Sequence, residues 1–208
     1  MRANTKPAVH ICCLVAFCCL LSCCANRSHW TITASEIPIL TQEPTGRIPL
    51  RAGFFMDEKS EKIRYSGRGA SLYQDYHQGD VRRNIDFDVR AAFEQVTRRM
   101  FQEVVPIAAT DASEDWKKED LDVVVFVGAP VCEVEFGHVI YTTFSAVWSV
   151  LSPDGGMITS VRPVGEGQVQ PGGSAKEVLI AAVDAHIRDV YDNLVASAWW
   201  RDSSWKSN

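Results

Sequence analysis

Residues 122–128 read DVVVFVG, and this run of β-branched and aromatic residues is the strongest structural signal in the chain. A continuous apolar run of this length is typical of a strand that is buried on both of its faces. The sequence therefore predicts a β-sheet with this strand near its centre.

The residues that follow this run change to strict alternation, which is typical of strands with one buried face. Apolar and polar residues alternate through 131–136 and continue to alternate through 139–151. In the second stretch the inward positions are Ile140, Phe144, Ala146, Trp148 and Val150, and the outward positions are Tyr141, Thr143, Ser145 and Ser149. In the first of these strands the two faces separate into Cys132, Val134 and Phe136 on the core side and Val131, Glu133 and Glu135 on the other.

Further strands are predicted on either side of this region. SPDGG at 152–156 has the proline and glycines of a hairpin turn, so residues 157–164 return as the partner strand. Pro163 marks an edge or an end of that strand. Earlier in the chain, 48–57 and 61–65 are two more strand candidates.

Two helices are predicted from apolar residues that recur at steps of three and four. The first covers the apolar stripe of residues 85–104, with Asp80 as its N-cap. The second begins with a capping box of Ser174 and Glu177 and continues to Trp199.

This order of elements predicts an α+β fold, a two-layer sandwich in which two long helices pack on one face of a mostly antiparallel sheet of about four to five strands. We expect a single domain over residues 48–200 and a polar tail over 201–208. Residues 23–47 are expected to form a tether, within which 30–41 has some strand character and would join the sheet edge.

The N-terminus has a different composition from the rest of the chain. Residues 12–26 read CCLVAFCCLLSCCAN and contain all the cysteines except Cys132. Arg2 and Lys6 precede an apolar run of about eleven residues, which is shorter than the roughly 20 that a membrane-spanning helix needs. Residues 1–22 are therefore predicted to be a signal peptide, with an ordinary secreted protein or an uncleaved anchor as the alternatives.

The end of this run, Leu20, Leu21, Ser22 and Cys23, resembles the lipobox of bacterial lipoproteins. The resemblance implies that the Cys23 thiol is acylated with diacylglycerol and that the peptidase cuts just before this residue. Cys24 is the runner-up, because a cysteine is a poorer small residue than serine at the preceding position. Diacylglycerol together with an amide-linked chain such as palmitate would hold the protein firmly to one leaflet.

The lipoprotein resemblance also implies a location in the cell envelope. In the enterobacterial sorting pattern, an aspartate directly after the lipidated cysteine retains the protein at the inner membrane. That position is Cys24 here, or Ala25 if Cys24 is the acylated residue, so we expect the outer membrane, with the domain facing the periplasm, and inner-membrane retention as the alternative.

The charge balance limits the classes of partner. The whole chain has a formal net charge of −5, and removal of Arg2 and Lys6 with the signal peptide leaves 19 basic against 26 acidic side chains, about −7. This balance argues against nucleic acid and against electrostatic binding to anionic lipid. Membrane attachment is therefore expected to come from the lipid alone.

No catalytic, cofactor or metal motif emerges from the sequence. The spacing of His29, His77, His138 and His186 is not that of zinc ligands, and His186 is expected to be a satisfied histidine beside the second helix. Cys132 is expected to be inert packing in a strand. The glycines of GEG at 165–167 are interpreted as a flexible connection from strand to helix.

Two groups of residues remain as functional candidates. Glu133 and Glu135 lie two apart on one strand face, a spacing that suits acid–base chemistry but also any solvent-facing strand, and the second interpretation is preferred. The loop 66–80 contains the candidate partner-binding side chains Arg68, Tyr73, Tyr76 and His77, with a loop folded onto its own domain as the alternative.

In its lipobox and its order of elements the chain resembles small periplasmic accessory lipoproteins of the LPS-assembly and YajG types. The resemblance implies a non-catalytic module that binds an envelope protein or a glycolipid during envelope assembly or transport. The alternatives are a periplasmic hydrolase with a loop-built site that uses Glu133 and Glu135, and a structural subunit of an envelope complex.

Overall fold

The computed structural model describes residues 30–42, 46–56, 64–69, 85–107, 113–136, 139–169 and 175–201. Their strands are β1 Trp30–Ile32, β2 Ile48–Met56, β3 Arg64–Gly69, β4 Ile85–Phe87, β5 Phe101–Pro106, β6 Val123–Val127, β7 Val131–Phe136, β8 Ile140–Ser145, β9 Trp148–Leu151, β10 Met157–Val161 and β11 Val164–Val169. Their helices are α1 Pro38–Thr41, α2 Val89–Met100, α3 Ser113–Lys118 and α4 Ala175–Ala196, with short 3₁₀ turns at Ala34–Glu36 and Trp199–Arg201.

The strands form two main sheets. Sheet 1 has the order β10-β9-β6-β2-β5, sheet 2 has the order β11-β8-β7-β3, and β1 pairs with β4. Strand β6 lies at the centre of sheet 1, antiparallel to β9 and parallel to β2. The predicted central strand and the α+β sandwich class are both confirmed.

The two sheets are halves of one bent layer. In sheet 1 Val127 pairs with Trp148, and in sheet 2 Val131 pairs with Ser145. Between these pairs the Gly128 N–H donates to the Val147 carbonyl at 2.9 Å, so one long hairpin continues across the bend. The alternation predicted for residues 139–151 is therefore real, but the strand breaks at 146–147 and its two parts belong to different sheets.

Both faces of β6 are buried, as the uninterrupted apolar run requires. Val123, Val125 and Val127 belong to the large core cluster that also contains the apolar stripes of α2 and α4. Val124 points to the other side, into a smaller cluster against which Trp116 of α3 packs. The sheet thus has two long helices on one face and a short one on the other.

Helix α2 is shorter than predicted at both ends. Its N-cap is Asp88, whose Oδ1 accepts a hydrogen bond from the Ala91 N–H at 2.9 Å, so the prediction of Asp80 is wrong. The helix ends at Met100, and the apolar spacing continues to Val104 because the next residues form strand β5 beside β2. Val104 lies four residues after Met100 and so fits the helical spacing by chance, although it belongs to strand β5.

The segment expected to be a tether is part of the fold from Trp30 onwards. Ile32, Ile37 and Leu40 are each at most 4% exposed and belong to the main core cluster. The N-terminal part of the chain contacts both long helices, and the Leu40 carbonyl accepts a hydrogen bond from Arg99 Nη1 at 2.9 Å. The N-terminal segment, residues 30–42, is therefore docked on the helices as part of the folded domain.

This N-terminal segment follows helix α4 along its length. Near the start of the helix Lys176 forms an ion pair with Glu36 and lowers the pKa of that carboxyl. Further along, the Ile39 N–H donates to Asp184 Oδ1. Just beyond the segment, Tyr191 Oη donates to the Gly46 carbonyl at 2.6 Å.

Candidate interaction surface

Sheet 2 has one face turned to helix α4. Cys132, Phe144 and Thr142 lie on this face and are at most 2% exposed. They alternate along β7 and β8 with residues of the opposite face, as the sequence predicts for β7.

Two glycines of β11 let the helix approach this face closely. A Cβ on Gly165 would overlap the Ala182 carbonyl oxygen, and one on Gly167 would overlap the Val178 carbonyl oxygen. Both glycines are buried, and they lie in a strand that pairs with β8 along its full length. The interpretation of GEG as a flexible connection is therefore wrong, since these positions require glycine for close packing.

The opposite face of sheet 2 is open. Its residues, here called the outer face, come from β7, β8 and β11 and are Val131, Glu133, Glu135, Tyr141, Thr143, Ser145, Val164, Glu166 and Gln168. They are half-buried or exposed, with Tyr141 at 48% and Val164 at 50%. Tyrosine is among the residues enriched at surfaces that bind partners.

The register of the strands arranges the outer face in rows. Glu133 pairs with Thr143, which pairs with Glu166, and this row contains two carboxylates. In the next row Glu135 pairs with Tyr141. The outer face therefore combines an exposed aromatic ring with acidic side chains around it.

This placement bears on the proposed carboxylate pair. Glu133 and Glu135 are both exposed and lie on the same face, as the sequence predicts. An open face leaves water around the carboxylates, whereas acid–base catalysis gains from a site that excludes it. The geometry favours the solvent-facing interpretation of these residues.

Of the predicted partner-binding residues, the structure places only Arg68, and it lies in strand β3 rather than in a loop. Its Cα partner is Glu135, so β3 joins the sheet that carries the outer face. Tyr73, Tyr76 and His77 lie outside the described residues. Sequence reasoning assigned Tyr141 to an outward-facing strand position but did not single it out for binding.

The lipidation candidates Cys23 and Cys24 also lie outside the described residues. No helix in the described ranges is both long enough and apolar enough to span a membrane. Nor do three or more histidine, cysteine or acidic side chains come together there in a group that could hold a metal ion.

His186 and Cys132 are buried titratable side chains that pack within the fold. His186 is fully buried, and its Nε2 accepts a hydrogen bond from Trp148 Nε1 at 3.1 Å, so Nδ1 carries the proton and donates to the Pro163 carbonyl at 3.1 Å. Burial lowers the pKa of His186 to about 4. Burial, assisted by the charge of Glu133, raises the pKa of the Cys132 thiol to about 12.

No protein-family model and no curated protein matches the chain. A Xanthomonas campestris protein described by the family model DUF330 is similar in structure, with a TM-score of 0.42 and 11% identity over 79% of this chain and 91% of that one. The PelC dodecamer from Paraburkholderia phytofirmans has a TM-score of 0.34 and 13% identity over 74% and 94%. A lipoprotein from Neisseria meningitidis has a TM-score of 0.30 and 10% identity over 69% and 99%. At these values the likeness assigns neither a family nor a function.

Proposed function

We propose that this chain is a lipid-anchored protein of the bacterial envelope that acts by binding and not by catalysis. The observation that carries the proposal is the N-terminal sequence, in which a short apolar run after Arg2 and Lys6 ends in Leu20, Leu21, Ser22 and Cys23. The acyl chains on Cys23 are the anchor, the outer membrane is the address, and the domain faces the periplasm.

The outer face of sheet 2 supports a binding role. It exposes Tyr141 and Val164 beside Glu133, Glu135 and Glu166 on a rigid sheet. Aromatic side chains on rigid elements lose little conformational entropy on binding. The partner is an envelope protein or a glycolipid that meets this face.

The anchor is tested by intact mass spectrometry of protein extracted from membranes, with Cys23→Ala and Cys24→Ala as matched variants. A triacylated chain that begins at Cys23 is expected in the wild type and in Cys24→Ala, and it should be lost in Cys23→Ala. An unmodified wild-type chain in the soluble fraction would refute the proposal. Separation of inner and outer membranes then tests the address.

The binding face is tested in cells by photocrosslinking. A benzophenone amino acid at position 141 should give a discrete protein or glycolipid adduct, whereas the same group at Met157, which is 70% exposed on sheet 1, should not. Equal adducts from both positions would argue against the outer face as the binding surface.

A further inference from the structure

We infer that the docked N-terminal segment holds the sheet 2 end of the domain towards the leaflet that carries the anchor. The inference rests on the proposed acylation of Cys23. It adds an orientation to that proposal, because it states which end of the fold lies at the membrane.

The first step is the number of residues between the proposed anchor and β1. Trp30 is the first residue of β1, so seven Cα–Cα steps separate Cys23 from the folded domain. Seven extended steps cover at most about 25 Å. A tether that lasted to residue 47 would cover up to about 85 Å and would leave the domain free to turn in any direction.

The second step is the position of Trp30 on the fold. Strand β1 pairs with β4, where Ile32 lies opposite Phe87 directly before α2, and Glu36 pairs with Lys176 at the start of α4. The next turn of that helix packs on sheet 2, where Val178 meets Gly167. The N-terminal segment therefore enters the fold at the end of the molecule that contains sheet 2.

The third step identifies the far end. The segment runs along α4 to Gly46, which accepts the hydrogen bond from Tyr191 immediately before β2 begins. The β9–β10 turn lies at this same far end, since Met157 pairs with Leu151 and Leu151 pairs with Val124, near the start of β6. Strand β6 leads from there towards sheet 2.

The consequence is an asymmetry in distance from the membrane. The chain holds the sheet 2 end within about 25 Å of the anchor, and the β9–β10 turn lies most of a domain diameter, about 40 Å, further out. The net negative charge of the chain supplies no attraction to an anionic leaflet. The short connection from Cys23 to Trp30 and the docked N-terminal segment therefore set the orientation.

The experiment uses the full lipidated protein in vesicles that contain a lipid with a nitroxide on its headgroup. Single cysteines are introduced at Ser35, near the start of the segment, and at Met157, and both are labelled with a small fluorophore in a Cys24→Ser background. Cys132 is fully buried and does not compete for the label. Because quenching falls steeply with distance, we expect the label at Ser35 to be quenched more strongly than the label at Met157.

The matched control inserts about 20 Gly/Ser residues after Asn26, which adds roughly 25 Å of flexible chain. We expect the difference between the two labels to collapse in this variant. Equal quenching at both sites without the insertion, or stronger quenching at Met157, overturns the orientation while leaving the anchor in place. A mass spectrum that shows no acyl chain on Cys23 overturns the anchor and the orientation together.

Discussion

His186 connects three parts of the fold through its two ring nitrogens. One nitrogen accepts from Trp148 in β9, the other donates to the carbonyl of Pro163 in the link between β10 and β11, and the ring itself sits on α4. A protonated ring would lose the bond from Trp148, because both of its nitrogens would then be donors. The folded state therefore favours neutral His186.

This preference predicts a loss of stability in mild acid. The pKa of His186 is about 4 in the folded protein against roughly 6.5 for a free histidine, so its contribution is complete above about pH 6.5 and is lost as the pH falls towards 4. Between about pH 7.5 and 4.5 we expect it to remove about 2–3 kcal/mol from the free energy of unfolding. Urea unfolding at the two pH values measures this.

The control is His186→Gln, which keeps a donor and an acceptor but does not titrate in this range. Other groups titrate in both proteins, so the difference between wild type and variant isolates His186. A wild type and a variant that lose the same stability between the two pH values would contradict the assignment.

Cys132 is predicted to be unreactive while the protein is folded. Its thiol is buried and its pKa is about 12, so almost none of it is thiolate at neutral pH. Peptide mapping after maleimide treatment should find Cys132 unmodified in native protein and fully modified in concentrated urea. Rapid modification under native conditions would show that the core around β7 opens more readily than its burial implies.

At the scale of the elements, the close contact between α4 and β11 depends on two glycines. Gly165→Ala and Gly167→Ala each place a methyl group against helix backbone, which cannot move as a flexible side chain would. We expect each to lower the free energy of unfolding by at least about 2 kcal/mol. Gly46→Ala is the matched control, since a Cβ there meets nothing within 4 Å and should change stability by less than about 0.5 kcal/mol. Equal losses of stability at all three sites would show that close packing against the helix does not set the cost.

The N-terminal segment gives a second prediction about an element. Ile37 is fully buried, so Ile37→Ala should destabilise the protein by about 2–4 kcal/mol, measured by urea unfolding. Gln42→Ala, at an exposed position in the same segment, should have little effect. If Ile37→Ala were as mild as Gln42→Ala, the segment would not be part of the core.

Sequence reasoning found the elements whose patterns are local. The β-branched run predicts strand β6, the SPDGG sequence predicts its turn, and the apolar stripe predicts helix α4. Each prediction uses only the residues of the element itself. The turn forms as expected, with Gly155 at φ +86° and the Ser152 N–H bonded to the Gly156 carbonyl at 2.7 Å. These features need no knowledge of the neighbouring elements.

The features that were missed depend on contacts distant in sequence. Gly165 and Gly167 are consistent with a loop until a helix is placed against them. The segment around Ile37 resembles a tether until its few apolar residues meet α2 and α4. Tyr141 becomes part of a candidate surface only when β11 and β7 are placed on either side of β8. The anchor at Cys23, in contrast, remains a prediction made wholly from the sequence.

At the scale of the whole molecule, the proposed attachment by lipid alone predicts how the protein leaves the membrane. The chain that begins at Cys23 has a net charge of about −7, from 19 basic and 26 acidic side chains, so concentrated NaCl should not release it from isolated membranes. Detergent should release it completely, as judged by immunoblots of pellet and supernatant. Release by salt would point to a charged peripheral partner as the true attachment.

The continuous hairpin across the bend between the two sheets has a consequence for how the protein unfolds. One hairpin supplies β6 and β9 to sheet 1 and β7 and β8 to sheet 2, and the bond from Gly128 to Val147 closes the ladder between them. Neither sheet can then lose its strands without releasing those of the other. Amide protons in β7 and β9 should therefore exchange through one shared opening, and the two halves should melt as a single cooperative unit.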